Sequence, residues 1–202
     1  MVQGEALHNN VFNAQLKEQP KLRKDKGSPV VIGGPCSAES REQVLTTARA
    51  LSLKGKVQFL RAGLWKPRTR PNTFEGRGKE ALPWLMEAQR ETGLCAMTEV
   101  ATPEHVEAVL EAGMTAMWIG ARTSVSPFAV QALADALRGV NVTVLVKNPM
   151  HADFKLWMGA IERVRDATCA ESNDDRDALK GMRLQIDSLD EQLMQLLSRR
   201  MD

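Results

Sequence analysis

Short apolar segments alternate with segments of helical periodicity between residues 29 and 167. The apolar segments are 29–36, 57–63, 94–100, 117–122 and 142–148, and the helical segments are 39–54, 79–92, 103–111, 127–137 and 153–165. Strands that alternate with helices form parallel sheets, and strands covered on both faces are almost continuously apolar. The rhythm therefore predicts an α/β fold with a parallel sheet.

Polar residues gather where the apolar segments end, and this favours one type of α/β fold. They are Cys36, Arg61, Lys66, Glu99, Arg122 and Lys147. The carboxyl ends of the strands carry the site both in a (β/α)8 TIM barrel and in a doubly wound sheet. A doubly wound sheet usually has a Gly-x-Gly-x-x-Gly first turn, which residues 33–36 (Gly-Gly-Pro-Cys) do not supply. The sequence thus predicts a TIM barrel of which about five βα units are present.

The domain organisation follows from where this rhythm starts and stops. Residues 1–28 are predicted to be an N-terminal arm, 29–167 a partial TIM barrel, and 168–177 a polar linker or sequence gap. Residues 178–202 carry apolar side chains at three- and four-residue spacing, which predicts a long amphipathic helix. One helix cannot bury such a stripe by itself, so this helix is expected to need a partner.

Charge and cysteine usage limit the classes of function. The 27 Lys and Arg residues nearly balance the 25 acidic ones, which gives no support to nucleic-acid binding. No apolar run approaches the roughly 20 residues that span a bilayer, and the N-terminus has no signal-peptide pattern. Three cysteines without paired spacing indicate a reducing compartment rather than a disulfide framework. We therefore expect a cytoplasmic protein.

Cations concentrate at the predicted strand ends. They are Arg61, Lys66, Arg68, Arg70, Arg122 and Lys147, the first four lying within ten positions. Arginine offers a planar fork for phosphate or carboxylate, whereas lysine acts as a compact charge. The cluster is predicted to bind small anions.

Other residues at these ends leave alternatives open. Glu99 could orient a lysine or a water molecule, or form an internal salt bridge. Cys36 could be a metal ligand, a nucleophile or a buried apolar residue. Trp65 is expected to wall a substrate pocket, and His105 is expected to lie on the surface of a helix.

Five motifs together resemble type I 3-deoxy-D-arabino-heptulosonate 7-phosphate (DAHP) synthase. They are Gly-Pro-Cys-Ser at 34–37, Arg-Ala-Gly with Lys-Pro-Arg-Thr at 61–69, Thr-Glu-Val at 98–100, Trp-Ile-Gly-Ala-Arg-Thr at 118–123 and Val-Lys-Asn at 146–148. The resemblance implies a transferase that condenses phosphoenolpyruvate with erythrose 4-phosphate, the first step of the shikimate pathway. Residues 178–202 resemble the first helix of an AroQ-type chorismate mutase, and fusions in this order occur.

The resemblance implies roles for individual residues. Phosphoenolpyruvate would be held by Arg61, Lys66, Arg122 and Lys147, with the backbone of Gly120 and Ala121 beside it. Erythrose 4-phosphate would be held by Lys66, Pro67, Arg68 and Thr69. Lys66 and Glu99 would act in catalysis, and Cys36 would bind a divalent metal ion, with manganese expected, that polarises the aldehyde.

In the final helix, Arg183 and Arg200 match the arginines that hold the chorismate carboxylates. They are 17 positions apart, close to whole helical turns, although a plain polar helix face would give the same spacing. The expected assembly is a homo-oligomer, with a dimer formed through this helix, and neither a membrane nor a nucleic acid is an expected partner.

One departure from the family pattern leaves two interpretations. The resemblance places the other metal ligands, a histidine, a glutamate and an aspartate, on strands six to eight, which have no counterpart in this sequence. Either the sequence joins pieces of a longer synthase–mutase fusion near residues 167–177, or a segment is deleted. In the second case the chain would be a catalytically dead, anion-binding or self-associating protein.

Overall fold

Strands and helices alternate along the part of the chain that the computed structural model describes, residues 29–66, 68, 70, 72–150 and 153–168. The strands are β1 (Ile32–Gly33), β2 (Phe59–Arg61), β3 (Cys95–Val100), β4 (Ala116–Ile119) and β5 (Thr143–Val146). The helices are α1 (Arg41–Ser52), α2 (Leu82–Thr92), α3 (Pro103–Glu111), α4 (Pro127–Ala136) and α5 (Phe154–Thr168). The predicted βα rhythm is confirmed.

The sheet has the strand order expected of a barrel. Each strand pairs with the next one along the chain, in the order β1-β2-β3-β4-β5, and every pairing is parallel. In a doubly wound sheet, by contrast, the order of the strands along the sheet reverses at a switch point. The described residues therefore form a five-stranded half-barrel, as a partial TIM barrel should.

Helix starts are set by local side chains. Ser40, Thr102 and Ser126 are N-caps, and each accepts a hydrogen bond from the backbone N–H three residues further on. Pro103 and Pro127 occupy the first helical position, where the missing N–H has no cost. These signals explain why the start of each of these helices could be predicted closely.

The outer and inner faces of the sheet each carry a separate cluster of buried apolar side chains. Leu60, Met117 and Ile119 belong to a core that packs against the helices, whereas Phe59, Met97 and Trp118 form a second cluster on the opposite, inner face. Side chains alternate between faces along a strand. The alternation places three charged residues on the inner face at its carboxyl end: Arg61, Glu99 and Lys147.

Most observed element ends differ from the predicted ones by one to three residues, and two of these differences have a clear local cause. The segment predicted as helix from residue 79 begins as a turn of 3-10 helix, Gly78–Ala81, and α2 starts only at Leu82, where Pro83 suits the first turn. Strand β1 is reduced to two residues, because Gly34 with φ +142° leaves the extended conformation of a strand where it lies against the Arg61 backbone.

Several predictions concern residues outside the described ranges: the arm 1–28, the linker from residue 169 to 177 and the helix 178–202. Thr168, predicted to start the linker, instead ends α5. Within the described ranges, no helix combines the length and apolarity needed to cross a bilayer.

Candidate functional site

Two predicted anion-binding cations lie around one aromatic ring. The Arg61 guanidinium carbon lies 4.8 Å from the centroid of the Trp118 ring, and Lys147 Nζ lies 5.5 Å from it. Both distances are within the range of cation–π attraction. The carboxyl ends of β2 and β5 thus meet at Trp118, a residue to which the sequence analysis gave no role of its own.

One nitrogen of the Arg61 guanidinium group lacks a hydrogen-bond acceptor in the described part of the chain. Its Nε is buried and has no hydrogen-bond partner among the described residues. A buried donor left unpaired costs roughly 1–3 kcal/mol, and more when the group is charged. Such a cost is often found where a ligand completes the hydrogen bonding, so this position suits a bound anion.

The Glu99 carboxylate is fixed between two neighbours. Trp118 Nε1 donates to Glu99 Oε2 at 2.8 Å, and a Cβ atom at Gly120 would lie 2.2 Å from Glu99 Oε1. The carboxylate therefore occupies the space that any other residue at position 120 would need. The internal salt bridge considered for Glu99 is not among the ion pairs of the described residues.

We expect the change Gly120→Ala to displace Glu99 while leaving the fold intact. The blocking atom is the end of a side chain that can rotate, so the loss should be near one hydrogen bond, about 1–2 kcal/mol of unfolding free energy. Urea unfolding and tryptophan emission measure this. Gly159→Ala in α5 is the matched control, since nothing lies within 4 Å of its Cβ, and it should not destabilise. A Gly120→Ala protein as stable as wild type with unchanged emission would contradict the contact.

Cys36 and Lys66 form a contact between the ends of β1 and β2. Lys66 Nζ donates to the Cys36 carbonyl at 2.8 Å and lies 3.2 Å from Cys36 Sγ. Cys36 is exposed, which excludes one of its three alternatives, that of a buried apolar residue. The hydrogen bond and positive charge of Lys66 lower the pKa of the Cys36 thiol, with smaller contributions from Arg61 and Arg68.

This lowered pKa predicts a pH-dependent reaction. The thiolate of Cys36 should persist to lower pH than that of an ordinary cysteine, so iodoacetamide should alkylate it fastest among the described cysteines at neutral pH. The change Lys66→Met should move the midpoint of its rate profile upward. Buried Cys95, whose pKa is raised by desolvation, is the internal control in peptide mass spectrometry. An unchanged profile in the variant would contradict the assignment.

A cavity of about 190 Å³ adjoins this contact. Its lining residues are Trp65, Lys66, Glu75, Glu99, Ala101 and His105. Lys66 and Glu99, both predicted to act in catalysis, thus face one space, and Trp65 walls it as expected of a pocket residue. The prediction that His105 is a surface residue is wrong: it is half-buried, and its ring stacks on that of Trp65 with centroids 4.0 Å apart. Helical periodicity cannot show that a loop from another unit covers the helix.

The remaining predicted residues are not all placed. Arg68 is exposed and donates from Nε to the Phe74 carbonyl at 2.8 Å, and Arg70 is also exposed. Ala121 and Arg122 follow Gly120 in the turn after β4. Four residues lie outside the described ranges: Pro67, Thr69, Arg183 and Arg200.

The described residues do not build a complete metal site. Among them, no three His, Cys, Asp or Glu side chains lie close enough together to hold an ion. Cys36 is exposed and offers one soft ligand, which suits several divalent ions but cannot hold one by itself.

Comparison with known proteins gives a consistent family relationship. Residues 12–183 match the DAHP synthetase I family. A phospho-2-dehydro-3-deoxyheptonate aldolase from Thermotoga maritima is 42% identical over 81 residues, which is 40% of this chain and 24% of that protein.

Two solved Thermotoga maritima structures share the fold. One, a phospho-2-dehydro-3-deoxyheptonate aldolase (DAHP synthase), is 30% identical with a TM-score of 0.60 over 70% of this chain and 39% of its own. The other, a truncated 3-deoxy-D-arabino-heptulosonate 7-phosphate synthase, is 28% identical with a TM-score of 0.56 over 70% of this chain and 49% of its own. The chain thus spans less than half the length of each of these relatives.

Proposed function

The chain belongs to the DAHP synthetase I family. On that premise we propose that it acts as a 3-deoxy-7-phosphoheptulonate synthase, which condenses phosphoenolpyruvate with erythrose 4-phosphate. The observation that carries the proposal is the buried, unpartnered Nε of Arg61 beside Trp118, with Lys147 on the same ring. Two cations held at one aromatic face, one of them short of a hydrogen-bond acceptor, suit a small substrate with several negative charges.

Phosphoenolpyruvate has the charges that this end of the sheet would bind. Its phosphate and carboxylate would be held by Arg61, Lys66, Arg122 and Lys147, beside the backbone of Gly120 and Ala121. The segment Lys66, Pro67, Arg68 and Thr69 would hold the phosphate of erythrose 4-phosphate. Since Lys66 belongs to both sets, it would lie between the two substrates.

The proposed reaction assigns a role to two of the side chains that line the cavity, Lys66 and Glu99. Carbon 3 of the enolpyruvate bonds to the aldehyde carbon, whose oxygen takes a proton. Water bonds to carbon 2 and loses a proton, which balances the proton taken by the aldehyde oxygen. The bond from carbon 2 to the phosphate oxygen then breaks as the new hydroxyl becomes the carbon 2 carbonyl, and its proton leaves with the inorganic phosphate. Lys66 would donate a hydrogen bond to the aldehyde oxygen, and Glu99, fixed by Trp118 Nε1, would orient the water.

The family generally uses a divalent metal ion, which would polarise the aldehyde when bound. We propose Cys36 as one of its ligands and manganese as the ion. Because the described residues do not complete a site, no step of the reaction is assigned to it.

The C-terminal residues extend the proposal. Arg183 and Arg200 would hold chorismate in a fused mutase, and the helix 178–202 would join two copies of the chain into a dimer in the cytoplasm. The support is the sequence motif alone, and the match to the synthase family extends through Arg183. Conversion of chorismate by the protein, lost in Arg183→Ala, would test it.

Substrate binding tests the proposal without requiring turnover. Phosphoenolpyruvate at the Arg61–Lys147 pair should change the emission of Trp118 saturably, because the bound anion draws both cations from the ring. The same titration with Trp118→Phe separates this signal from those of the other tryptophans. A wild-type protein with no saturable change, or a change that persists in Trp118→Phe, would contradict the proposed site.

A further inference from the structure

Trp65 lies at the neck of the loop that runs from residue 65 to residue 78. Two backbone hydrogen bonds close this neck: Lys66 N–H donates to the Glu75 carbonyl at 2.8 Å, and Gly78 N–H donates to the Leu64 carbonyl at 2.9 Å. A Cβ at Gly78 would lie 3.3 Å from Trp65 Nε1, so the indole edge is in contact with the returning strand of the loop. Trp65 therefore packs at the base of the loop, directly before Lys66.

His105 stacks on the indole of Trp65 beside the cavity that both residues line. Its ring lies 4.0 Å from that of Trp65, centroid to centroid, and only 13° from parallel. Its own orientation is fixed at the start of α3, where Ala101 N–H donates to His105 Nδ1 at 3.3 Å. Burial lowers the pKa of His105, which favours the neutral ring that this acceptor role requires. The stack joins two successive βα units.

We propose that His105 is a positioning residue for the loop 65–78, acting through its stack on Trp65 to hold the loop cations that follow Lys66, whereas Lys66 itself is also held by its contacts with Cys36. This rests on the proposed function in so far as those cations bind erythrose 4-phosphate. Arg61 and Lys147, which would bind phosphoenolpyruvate, lie around Trp118 instead. His105 should thus affect one substrate more than the other.

Limited trypsin digestion of the purified protein tests the positioning without any assay of activity. Lys66 and Arg70 each precede a proline, so trypsin cuts residues 66–71 only after Arg68. His105→Asn retains an acceptor for Ala101 N–H but cannot stack, whereas His105→Phe retains the stack but cannot accept. We expect cleavage after Arg68 to be about two- to twelvefold faster in His105→Asn, the range for loss of an aromatic pair, and near wild type in His105→Phe.

Cleavage after exposed Lys56, in the loop before β2, is the reference for general loosening and should not change. Faster cleavage in His105→Phe alone, or in neither variant, would overturn the proposal. If both variants are cleaved faster, the digestion is repeated with His105→Asn in a protein that also carries Trp65→Leu, which has no indole to stack on. There His105→Asn should have no further effect, and an effect that persists would show that the stack is not the cause.

Steady-state kinetics provide the functional measurement. His105→Asn should raise KM for erythrose 4-phosphate about tenfold while KM for phosphoenolpyruvate stays within about twofold, because displacement of a substrate-holding loop weakens one substrate selectively. His105→Phe should restore both values. Equal changes in the two KM values would overturn the proposal. A protein without turnover would count against the proposed function alone, since the digestion still decides the role of His105.

Discussion

Gly34→Ala should unfold or severely destabilise the protein, by more than about 3 kcal/mol. Gly34 has φ +142°, and a Cβ there would lie 2.0 Å from the Arg61 carbonyl oxygen and 3.0 Å from the Arg61 nitrogen. Both atoms belong to the backbone of β2, so no side chain can rotate to make room. The close approach of the backbone at Gly34 to the backbone at Arg61 brings Cys36 beside Lys66. The variant should therefore lose the contact between Cys36 and Lys66 as well.

Gly139→Ala separates the clash from backbone strain. Gly139 also has a positive φ, +71°, but nothing lies within 4 Å of its Cβ position. The Gly139→Ala variant should lose only the free energy needed to hold alanine in the left-handed conformation, about 1–2 kcal/mol of unfolding free energy. Urea unfolding followed by circular dichroism measures both variants. Equal losses for Gly34→Ala and Gly139→Ala would contradict the close approach of the ends of β1 and β2.

On the proposed function, Arg61→Met should abolish the use of phosphoenolpyruvate without weakening the fold. A charge-assisted pair with the substrate is lost, so kcat/KM should fall at least about a thousandfold. The unfolding free energy should stay within about 1 kcal/mol of wild type or rise, because removal of a buried unpaired donor offsets the lost contact with Trp118.

The control for Arg61→Met is Arg90→Met. Arg90 is exposed in the last turn of α2, away from the inner face, and its loss should change neither activity nor stability measurably. Urea unfolding and the rate of phosphate release should be measured on the same preparations. A destabilised Arg61→Met protein that retains activity would mean that Arg61 is a structural residue.

Most of the fold could be predicted from the sequence because its signals are local. Pro103 with its Thr102 cap marks the start of α3 within the chain itself, and the predicted bounds of that helix are those observed. The carboxyl-end positions of Arg61 and Lys147 follow from the rule that parallel strands present these ends at one edge. Boundaries failed where tertiary contacts decide, as at Gly34.

The site was less predictable because its central contacts join residues distant in sequence. The role of Trp118 depends on the register of β4 against β3, which sets Trp118 opposite Glu99. His105 was missed because its partner, Trp65, belongs to a different βα unit. For Trp118, the alternation of faces along β4 was a usable signal; for His105, no local pattern indicates the stack.

The most direct test of the proposed function is phosphate release by the purified protein, supplied with manganese, with both substrates together and with each alone. We expect release that requires phosphoenolpyruvate and erythrose 4-phosphate together and that is lost in Arg61→Met. Saturable binding of phosphoenolpyruvate without any release would contradict the synthase and leave an anion-binding protein. Release with phosphoenolpyruvate alone would contradict the condensation.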